Sequence, residues 1–369
     1  SYIATRMKRN SILLLLFLIS FNSNSQSWQW AKSVGGLNYD TGGILISGNG
    51  DSYLTGDFGG QCFFQTDTLW TWPNAHGLFV SKLDPSGNEI WVKQIGGVAN
   101  SGSQEGVNIS AVDDVNNCLY ITGNFNGTIT MDGHSITSIN SDYFLAKLDL
   151  NGICQWLIKA GSSWIDDRSS CAILDSNGDI YWTATLMDNG TLDSYSLQKG
   201  AFLSKISAAG NVLWARDEFV GIDPFLELQN NRLYFAGTTR NDTCTVDTLT
   251  IVSATSVDGI VGELDLNGNV LWVNEFECPA NSYCTSLEID SYGDLYICGY
   301  YEDTLNLGTQ QFIATGSFEG FLIKMDPNGN LKWIQQSISA SAINYTHFNN
   351  LLTNIDGTTY LIGDYSGST

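Results

Sequence analysis

The stretch KLDPSGNEIW, which runs from Lys82 to Trp91, decides the fold because its pattern occurs five times in the chain. The other four copies are KLDLNGICQW (Lys147–Trp156), KISAAGNVLW (Lys205–Trp214), ELDLNGNVLW (Glu263–Trp272) and KMDPNGNLKW (Lys324–Trp333). Self-similarity at a fixed period is the sequence signature of a repeat architecture. We therefore expect one supersecondary unit that is copied along the chain.

Three sequence features, which we call landmarks, recur with this period. The tryptophans, spaced by 61, 65, 58, 58 and 61 residues, are Trp30, Trp91, Trp156, Trp214, Trp272 and Trp333. A Tyr-x-x-Gly/Ala element begins at Tyr53, Tyr120, Tyr181, Tyr234, Tyr296 and Tyr360. An aromatic residue stands three positions before the lysine at Phe79, Phe144, Phe202 and Phe321. Agreement of all three indicates tandem duplication.

Each unit is predicted to hold four strands, A to D. In the second unit these are about Val107–Val112, Leu119–Phe125, Tyr143–Asp149 and Cys154–Ala160. The A–B and C–D links contain Asn-Gly or Asp-Gly pairs, which supply the positive φ of tight hairpins. No helical period occurs beyond the N-terminal segment.

The expected fold is all-β: a β-propeller of four-stranded blades of about 60 residues, with five full blades and a partial sixth. A four-stranded sheet cannot bury both faces alone, so the blades pack around an axis, and the six tryptophans wedge between neighbouring blades. The chain begins with a D-type segment around Trp30 and ends just past strand B. We therefore expect an incomplete ring of six or seven blades.

The N-terminus has the layout of a secretory signal, with Met7-Lys8-Arg9 before the apolar run Ile12–Phe21. We assign residues 1–25 to upstream residues and a signal peptide, and residues 26–369 to the propeller. Removing residues 1–25 would change the net charge from −22 to −25. Such an acidic protein would be repelled by nucleic acid. We expect no nucleic-acid partner and no membrane insertion after signal removal.

The segment WVKQIGG…VNISAVDD…NNCLYITGNF (Trp91–Phe125) resembles the bacterial SBBP, or seven-bladed β-propeller, repeat. The resemblance extends over nearly all of residues 28–369. It implies an exported or cell-surface protein in the style of Bacteroidota, where a C-terminal sorting domain for type IX secretion is common. It brings no established catalytic residues.

LDPSGNEIW also resembles the tryptophan-docking repeat of pyrroloquinoline-quinone dehydrogenases and related outer-membrane assembly propellers. The quinone enzymes carry two adjacent cysteines. None of the eight cysteines here has a neighbouring cysteine. We therefore expect no cofactor, and we predict no particular disulfide pairing.

Candidate ligand-binding residues lie where the D–A connections and the long B–C segments meet. Asp40, Glu105, Asp167 and Asp223 follow their tryptophans and could hold a cation or sugar hydroxyls; the alternative is loop capping. Trp70 and Trp72 alternate in the first B–C segment and could stack on a sugar ring; the alternative is packing against a neighbouring blade.

Metal and catalytic signals are weak. The Asp-x-Asn-Gly-Asp loop at Asp175–Asp179 is similar to a calcium loop, but it lacks the distal glutamate and flanking helices of an EF-hand, so a plain hairpin turn is favoured. We predict no metal site, with calcium as the alternative. The histidines, His76, His134 and His347, form no metal motif, and no nucleophile elbow is present.

The sequence favours an exported, non-catalytic scaffold that binds proteins or glycans through the loop face, secreted or at the cell surface by way of the periplasm. The alternative is a secreted polysaccharide-active glycosidase or lyase with carboxylates at the channel mouth. The predicted A strands are mostly apolar, which favours the scaffold.

Overall fold

The computed structural model describes residues 35–36, 41–46, 49–71, 76–95, 106–163, 168–220, 225–239, 242–246, 249–253, 257–339, 341, 343–354 and 357–366. Strands are the regular secondary structure throughout these ranges, which contain no α-helix. The predicted all-β class is therefore confirmed. No helix in the described ranges is long and apolar enough to cross a membrane. The predicted signal segment, residues 1–25, and Trp30 lie outside the described residues.

The first three repeats supply seventeen strands. The first repeat contains β1 (Gly35–Gly36), β2 (Thr41–Ile46), β3 (Ser52–Gly59), β4 (Gln61–Phe63), β5 (Thr68–Trp70), β6 (His76–Leu83) and β7 (Glu89–Ile95). The second contains β8 (Gly106–Asp113), β9 (Cys118–Met131), β10 (His134–Asp149) and β11 (Cys154–Ser162). The third contains β12 (Arg168–Leu174), β13 (Ile180–Leu186), β14 (Gly190–Leu192), β15 (Tyr195–Leu197), β16 (Gly200–Ile206) and β17 (Val212–Val220).

The remaining repeats follow the same order. The fourth contains β18 (Phe225–Gln229), β19 (Arg232–Thr238), β20 (Asp242–Val246), β21 (Leu249–Ser253), β22 (Gly259–Leu264) and β23 (Val270–Phe276). The fifth contains β24 (Ser282–Ile289), β25 (Leu295–Tyr301), β26 (Thr304–Leu307), β27 (Gln310–Ile313), β28 (Glu319–Met325) and β29 (Leu331–Gln336). The sixth contains β30 (Thr346–Thr353) and β31 (Thr359–Tyr365).

Five of the repeats build a four-stranded antiparallel meander. Sheets 1 to 5 have the orders β2-β3-β6-β7, β8-β9-β10-β11, β12-β13-β16-β17, β18-β19-β22-β23 and β24-β25-β28-β29, and sheet 6 is the pair β30-β31. These are the predicted strands A to D. The A strands of successive sheets, from β2 to β30, lie next to one another in chain order. The apolar core is accordingly divided into layers, each shared by two successive sheets.

The tight turns are built by an aspartate and a glycine. In the first C–D turn, the Asp84 carboxylate accepts the amides of Ser86 and Asn88 at 2.8 Å, while Gly87 has a φ of 77°. A positive φ is accessible to glycine at little steric cost. The same double capping occurs at Asp149, Asp175, Asp265, Asp290 and Asp326. The Asp/Asn-Gly signal in the sequence is therefore a turn signal.

Two of the three sequence landmarks, the tyrosine and the tryptophan, meet in space. In sheet 1, Tyr53 of strand B is opposite Lys82 of strand C, which is opposite Trp91 of strand D. Paired residues on adjacent strands share a face, and the tyrosine and tryptophan rings of the five sheets are 6.0–6.4 Å apart. We call this arrangement the Tyr–Lys–Trp row. The third landmark, Phe79, is opposite Gly56 and three residues from Lys82, so it lies on the other face of the sheet.

The row of each of sheets 1 to 4 holds the C–D turn of the next sheet. One carbonyl oxygen, that of the second turn residue, accepts hydrogen bonds from the row at 2.7–3.2 Å in all four cases; these acceptors are Leu150, Ala208, Leu266 and Pro327. The turn glycine lies on the indole. A Cβ at Gly152, Gly210, Gly268 or Gly329 would lie only 2.7–3.2 Å from the tryptophan ring.

The B–C segments differ from the expectation of long binding loops. They fold into hairpins, which we call B–C arms: β4-β5, residues 126–138 at the end of β9 and the start of β10, β14-β15, β20-β21 and β26-β27. Three arms pair with the strand that precedes strand A of their own sheet, through β1-β4, β11-β14 and β17-β20. A fourth makes a bridge between Glu277 and Asn306. Backbone pairing thus holds these arms in place and ties successive sheets together.

Gly210→Ala should destabilise the protein because the new methyl group would lie 2.8 Å from Trp156 at a φ of +86°. We expect a loss of about 2–4 kcal/mol in the free energy of unfolding by urea. Gly133→Ala is the matched control, since Gly133 has a φ of +93° but open space around it. Equal losses in the two variants would contradict the packing argument.

The fourth row carries reversed charges, with Arg232 two residues before Tyr234 and Glu263 at the lysine position, joined by two hydrogen bonds of 2.6 Å. Glu263→Lys should cost about 2–4 kcal/mol because it places two cations together near the core. Adding Arg232→Asp should recover part of that loss. A double-mutant cycle on urea unfolding measures the coupling, and strictly additive effects would refute the pairing.

Candidate functional site

Most of the predicted ligand-binding residues lie outside the described residues. This applies to Asp40, Glu105, Asp167, Asp223 and Trp72. Trp70 is described and lies at the end of β5 in the first B–C arm. Trp91, Trp156, Trp214, Trp272 and Trp333 occupy the Tyr–Lys–Trp rows given above.

The first B–C arm displays two aromatic side chains. Alternation along β4 and β5 turns Cys62 and Leu69 towards the protein, whereas Phe63 and Trp70 are 45% and 62% exposed. The arm is fixed on both sides, because β4 pairs with β1 and the Gln94 side-chain amide donates to the Trp70 carbonyl at 3.1 Å. A rigid, exposed aromatic pair can stack on a sugar ring or enter a protein interface at small entropic cost.

Three of the other arms show polar side chains at such positions. Residues 126–138 expose Thr128, Thr130, Ser135 and Thr137, two hydroxyl pairs across the hairpin. The β14-β15 arm exposes Thr191 and Ser196. The β26-β27 arm joins Asn306 to Gln311, with Ile313 as an exposed apolar residue. Among these arms the first alone presents an aromatic face, so this face is not a requirement of the repeat.

Two glutamates interrupt the mostly apolar A strands. Glu227 of β18 and Glu288 of β24 are opposite Tyr234 and Tyr296, the same position on adjacent sheets. The equivalents are Leu45, Ala111, Ile173 and Leu352. Burial, with the nearby Glu288 carboxylate, raises the pKa of Glu227 to about 8; burial also raises the pKa of Glu288. Such a pair could act as a proton donor and acceptor.

The inner-strand glutamates were missed by reasoning from composition, which treated the A strands as apolar. Glu227 lies seven residues before Tyr234 and Glu288 lies eight residues before Tyr296, because the two A–B turns differ in length, so spacing along the sequence does not align them. Their position opposite the tyrosine is a property of strand register. Strand register depends on pairing between strands A and B, which composition does not contain.

A second cluster surrounds His347 in sheets 5 and 6. It lies at the strand ends from which the B–C arms extend, which we call the arm side. Its imidazole lies between Tyr300 at 4.1 Å and Tyr345 at 4.7 Å, with the edge of Phe318 at 5.2 Å. Nδ1 is 3.7 Å from the Asp364 carboxylate, and Nε2 is buried with no hydrogen-bond partner among the described residues. These aromatic rings pack against one another, so the cluster stabilises the fold and offers no free ring face for a ligand to stack on.

Calcium gains no support from the turn aspartates, because their carboxylates cap their own turns as described above. No group of three or more His, Cys, Asp or Glu side chains within the described ranges is placed to hold a metal ion. The calcium alternative remains a prediction that titration can test.

No protein family and no curated protein sequence matches this chain. Among solved structures, a Bacteroides caccae protein of unknown function is similar at a TM-score of 0.36 and 10% identity, over 80% of this chain and 92% of that one. A DUF4221 member from Bacteroides vulgatus has a TM-score of 0.35 and 9% identity, over 90% and 98%. A puromycin hydrolase has a TM-score of 0.33 and 10% identity, over 88% and 50%. Likeness at this level carries no argument about family or function.

The raised pKa of Glu227 predicts a stability that falls with pH. A carboxyl whose folded pKa lies above its unfolded value stabilises fully below about pH 4.5, and this contribution is lost as pH rises through about 8. Glu227→Gln should therefore exceed the wild type in stability above pH 8, by an amount on the order of 3 kcal/mol. Urea unfolding from pH 5 to 9 measures this, with exposed Asp193→Asn as the control. Parallel pH profiles for wild type and Glu227→Gln would contradict it.

Proposed function

We propose that this protein is an exported, non-catalytic β-propeller that binds a protein or a glycan at the cell surface through its arm side. The ring is an incomplete one of five blades and a partial sixth. Support comes from the order of the A strands, the apolar layers between successive sheets and the rows that hold the next sheet's turn. Ile362 of sheet 6 is 67% exposed, whereas its equivalents are buried: Thr55, Thr122, Thr183, Ala236 and Cys298.

The observation that carries the binding role is the aromatic face formed by Phe63 and Trp70. The B–C arms and the D–A connections lie at the same ends of the strands, because strands A to D alternate in direction. Asp40, Glu105, Asp167 and Asp223 belong to those connections. We therefore place the ligand at this side, with the two aromatic rings as its anchor.

The SBBP-like landmarks and the signal-like N-terminus support secretion through the periplasm and attachment at the surface of a Bacteroidota cell, with type IX sorting as the route. The acidic net charge of −22 makes a neutral ligand more suitable than a nucleic acid. We propose a neutral glycan surface or an uncharged protein face.

A second candidate is a polysaccharide-active enzyme, and the pair Glu227 and Glu288 favours it. Glycosidases need one protonated and one ionised carboxyl group. A buried pair with raised pKa values could supply these two states near neutral pH. The surrounding inner strands present mainly apolar side chains, and this leaves the scaffold as the first candidate.

Glycan-array binding with reducing-sugar release on the same panel tests both candidates. Trp70→Ala should reduce the affinity for a bound glycan about tenfold, since aromatic stacking contributes about 0.5–1.5 kcal/mol beyond the apolar area that it buries. Ile313→Ala, in another arm, should leave affinity unchanged. Unaltered binding by Trp70→Ala and Phe63→Ala would refute the aromatic anchor. Turnover abolished by Glu227→Gln or Asp167→Asn would establish the enzyme instead.

A further inference from the structure

The second B–C arm presents a flat array of four exposed hydroxyl groups. Thr128 is directly opposite Thr137, and their hydroxyl oxygens are 2.9 Å apart. Thr130 is directly opposite Ser135, with the hydroxyl oxygens 3.1 Å apart. Each pair uses one O–H group for its own hydrogen bond, and a hydroxyl oxygen carries two acceptor lone pairs. Acceptors in both pairs and a donor in the Thr128–Thr137 pair are therefore available to a ligand.

This arm is fixed along its inner side and at its tip. Ile129 and Met131 are buried and belong to the apolar layer between sheets 1 and 2. At the tip, the Asp132 carboxylate accepts the Cys154 amide at 2.8 Å and lies 3.5 Å from the Lys93 ammonium of sheet 1. A surface that is already ordered loses little conformational entropy when it binds a ligand.

The hydroxyl face of the second arm has the aromatic face of the first arm as its neighbour. Both arms contact β7: Gln94 donates to the Trp70 carbonyl of the first arm, and the preceding residue, Lys93, pairs with Asp132 of the second. Each arm buries its inner side against its own sheet, so the two outer faces point to solvent from adjacent sheets. Stacked sheets lie about 10 Å apart. One ligand that touches both faces must therefore be longer than a single sugar ring.

The two arms carry little net charge in a strongly acidic chain. Their charged side chains at neutral pH are Asp67 and Asp132, and Asp132 is paired with Lys93. The net charge of −22 on the whole chain repels anionic polymers. Aromatic rings stack on the apolar faces of sugar rings, and the hydroxyl array can exchange hydrogen bonds with sugar hydroxyls. The surface chemistry therefore fits a neutral polysaccharide.

We propose that the first two arms form one extended site for a linear, neutral β-glucan. The sugar chain stacks on Phe63 and Trp70 and continues to the hydroxyl face of the second arm. This inference rests on the proposed function and narrows its ligand from a protein or a glycan to one class of polysaccharide. The two aromatic residues stand at diagonal positions of one hairpin face, about 7–8 Å apart. A flat face suits a ribbon-shaped sugar chain better than a coiled one.

Isothermal titration calorimetry of the full chain with the series from cellobiose to cellohexaose tests this site. We expect affinity to rise about tenfold along the series, because only the longer chains reach the second arm. Thr128→Val combined with Thr130→Val should remove this gain, since each lost hydrogen bond weakens binding roughly two- to tenfold. Valine keeps the branched shape and strand preference of threonine. Thr191→Val, the same change in the third arm, is the matched control and should alter neither affinity.

The outcomes separate this inference from the proposed function. Trp70→Ala should weaken the binding of every member of the series, and cellobiose binding shows that the threonine variant is folded. Affinity that does not rise with chain length, or that survives the two valine substitutions, would overturn the extended site and leave the aromatic anchor standing. Stronger binding of coiled malto-oligosaccharides of equal length would overturn the assigned polysaccharide class. Binding of no oligosaccharide would overturn the site and leave a protein as the ligand of the scaffold.

Discussion

The structure depends on one interaction, the hold that each Tyr–Lys–Trp row has on the C–D turn of the next sheet. The indole needs a glycine at the turn, and the turn needs the same glycine for its positive φ, so one residue meets two constraints at Gly152, Gly210, Gly268 and Gly329. The row also donates hydrogen bonds to the carbonyl of the second turn residue. Packing and hydrogen bonding therefore fix the same register between sheets.

The fourth sheet shows that different residues can build the same row. Glu263 replaces the lysine, and Arg232 takes the place two residues before the tyrosine, which an aspartate holds at Asp51, Asp179 and Asp294. The cation still lies over the tyrosine, at 5.4 Å in this sheet and 4.9 Å above Tyr181. It still reaches the next turn, through Arg232 to the Pro327 carbonyl at 2.7 Å. What persists is a cation over the tyrosine ring of the row.

The sequence predicted the strands, their order and the role of the glycine turns, because these features are local and recur at a constant spacing. The B–C arms were expected to be loops, although residues 126–138 alternate the buried Ile129 and Met131 with exposed threonines around an Asp-Gly pair. Their strand character comes in part from pairing with the preceding sheet, as Ala160 with Leu192 shows. Glu227 and Glu288 were missed for a related reason: their proximity follows from register between distant strands. The acidic candidates remain predictions because they fall outside the described residues.

Most polar groups of the repeat are already engaged within the fold, and this limits which side chains could bind a ligand. The turn aspartates cap their own turns, and the row cations bind aspartates, tyrosines and carbonyls, so these groups are committed to the frame. A ligand must then be recognised by side chains that the repeat does not need. Phe63 and Trp70 meet this condition in the first arm. A repeat protein of this kind can change its ligand at one arm without disturbing the contacts that join its sheets.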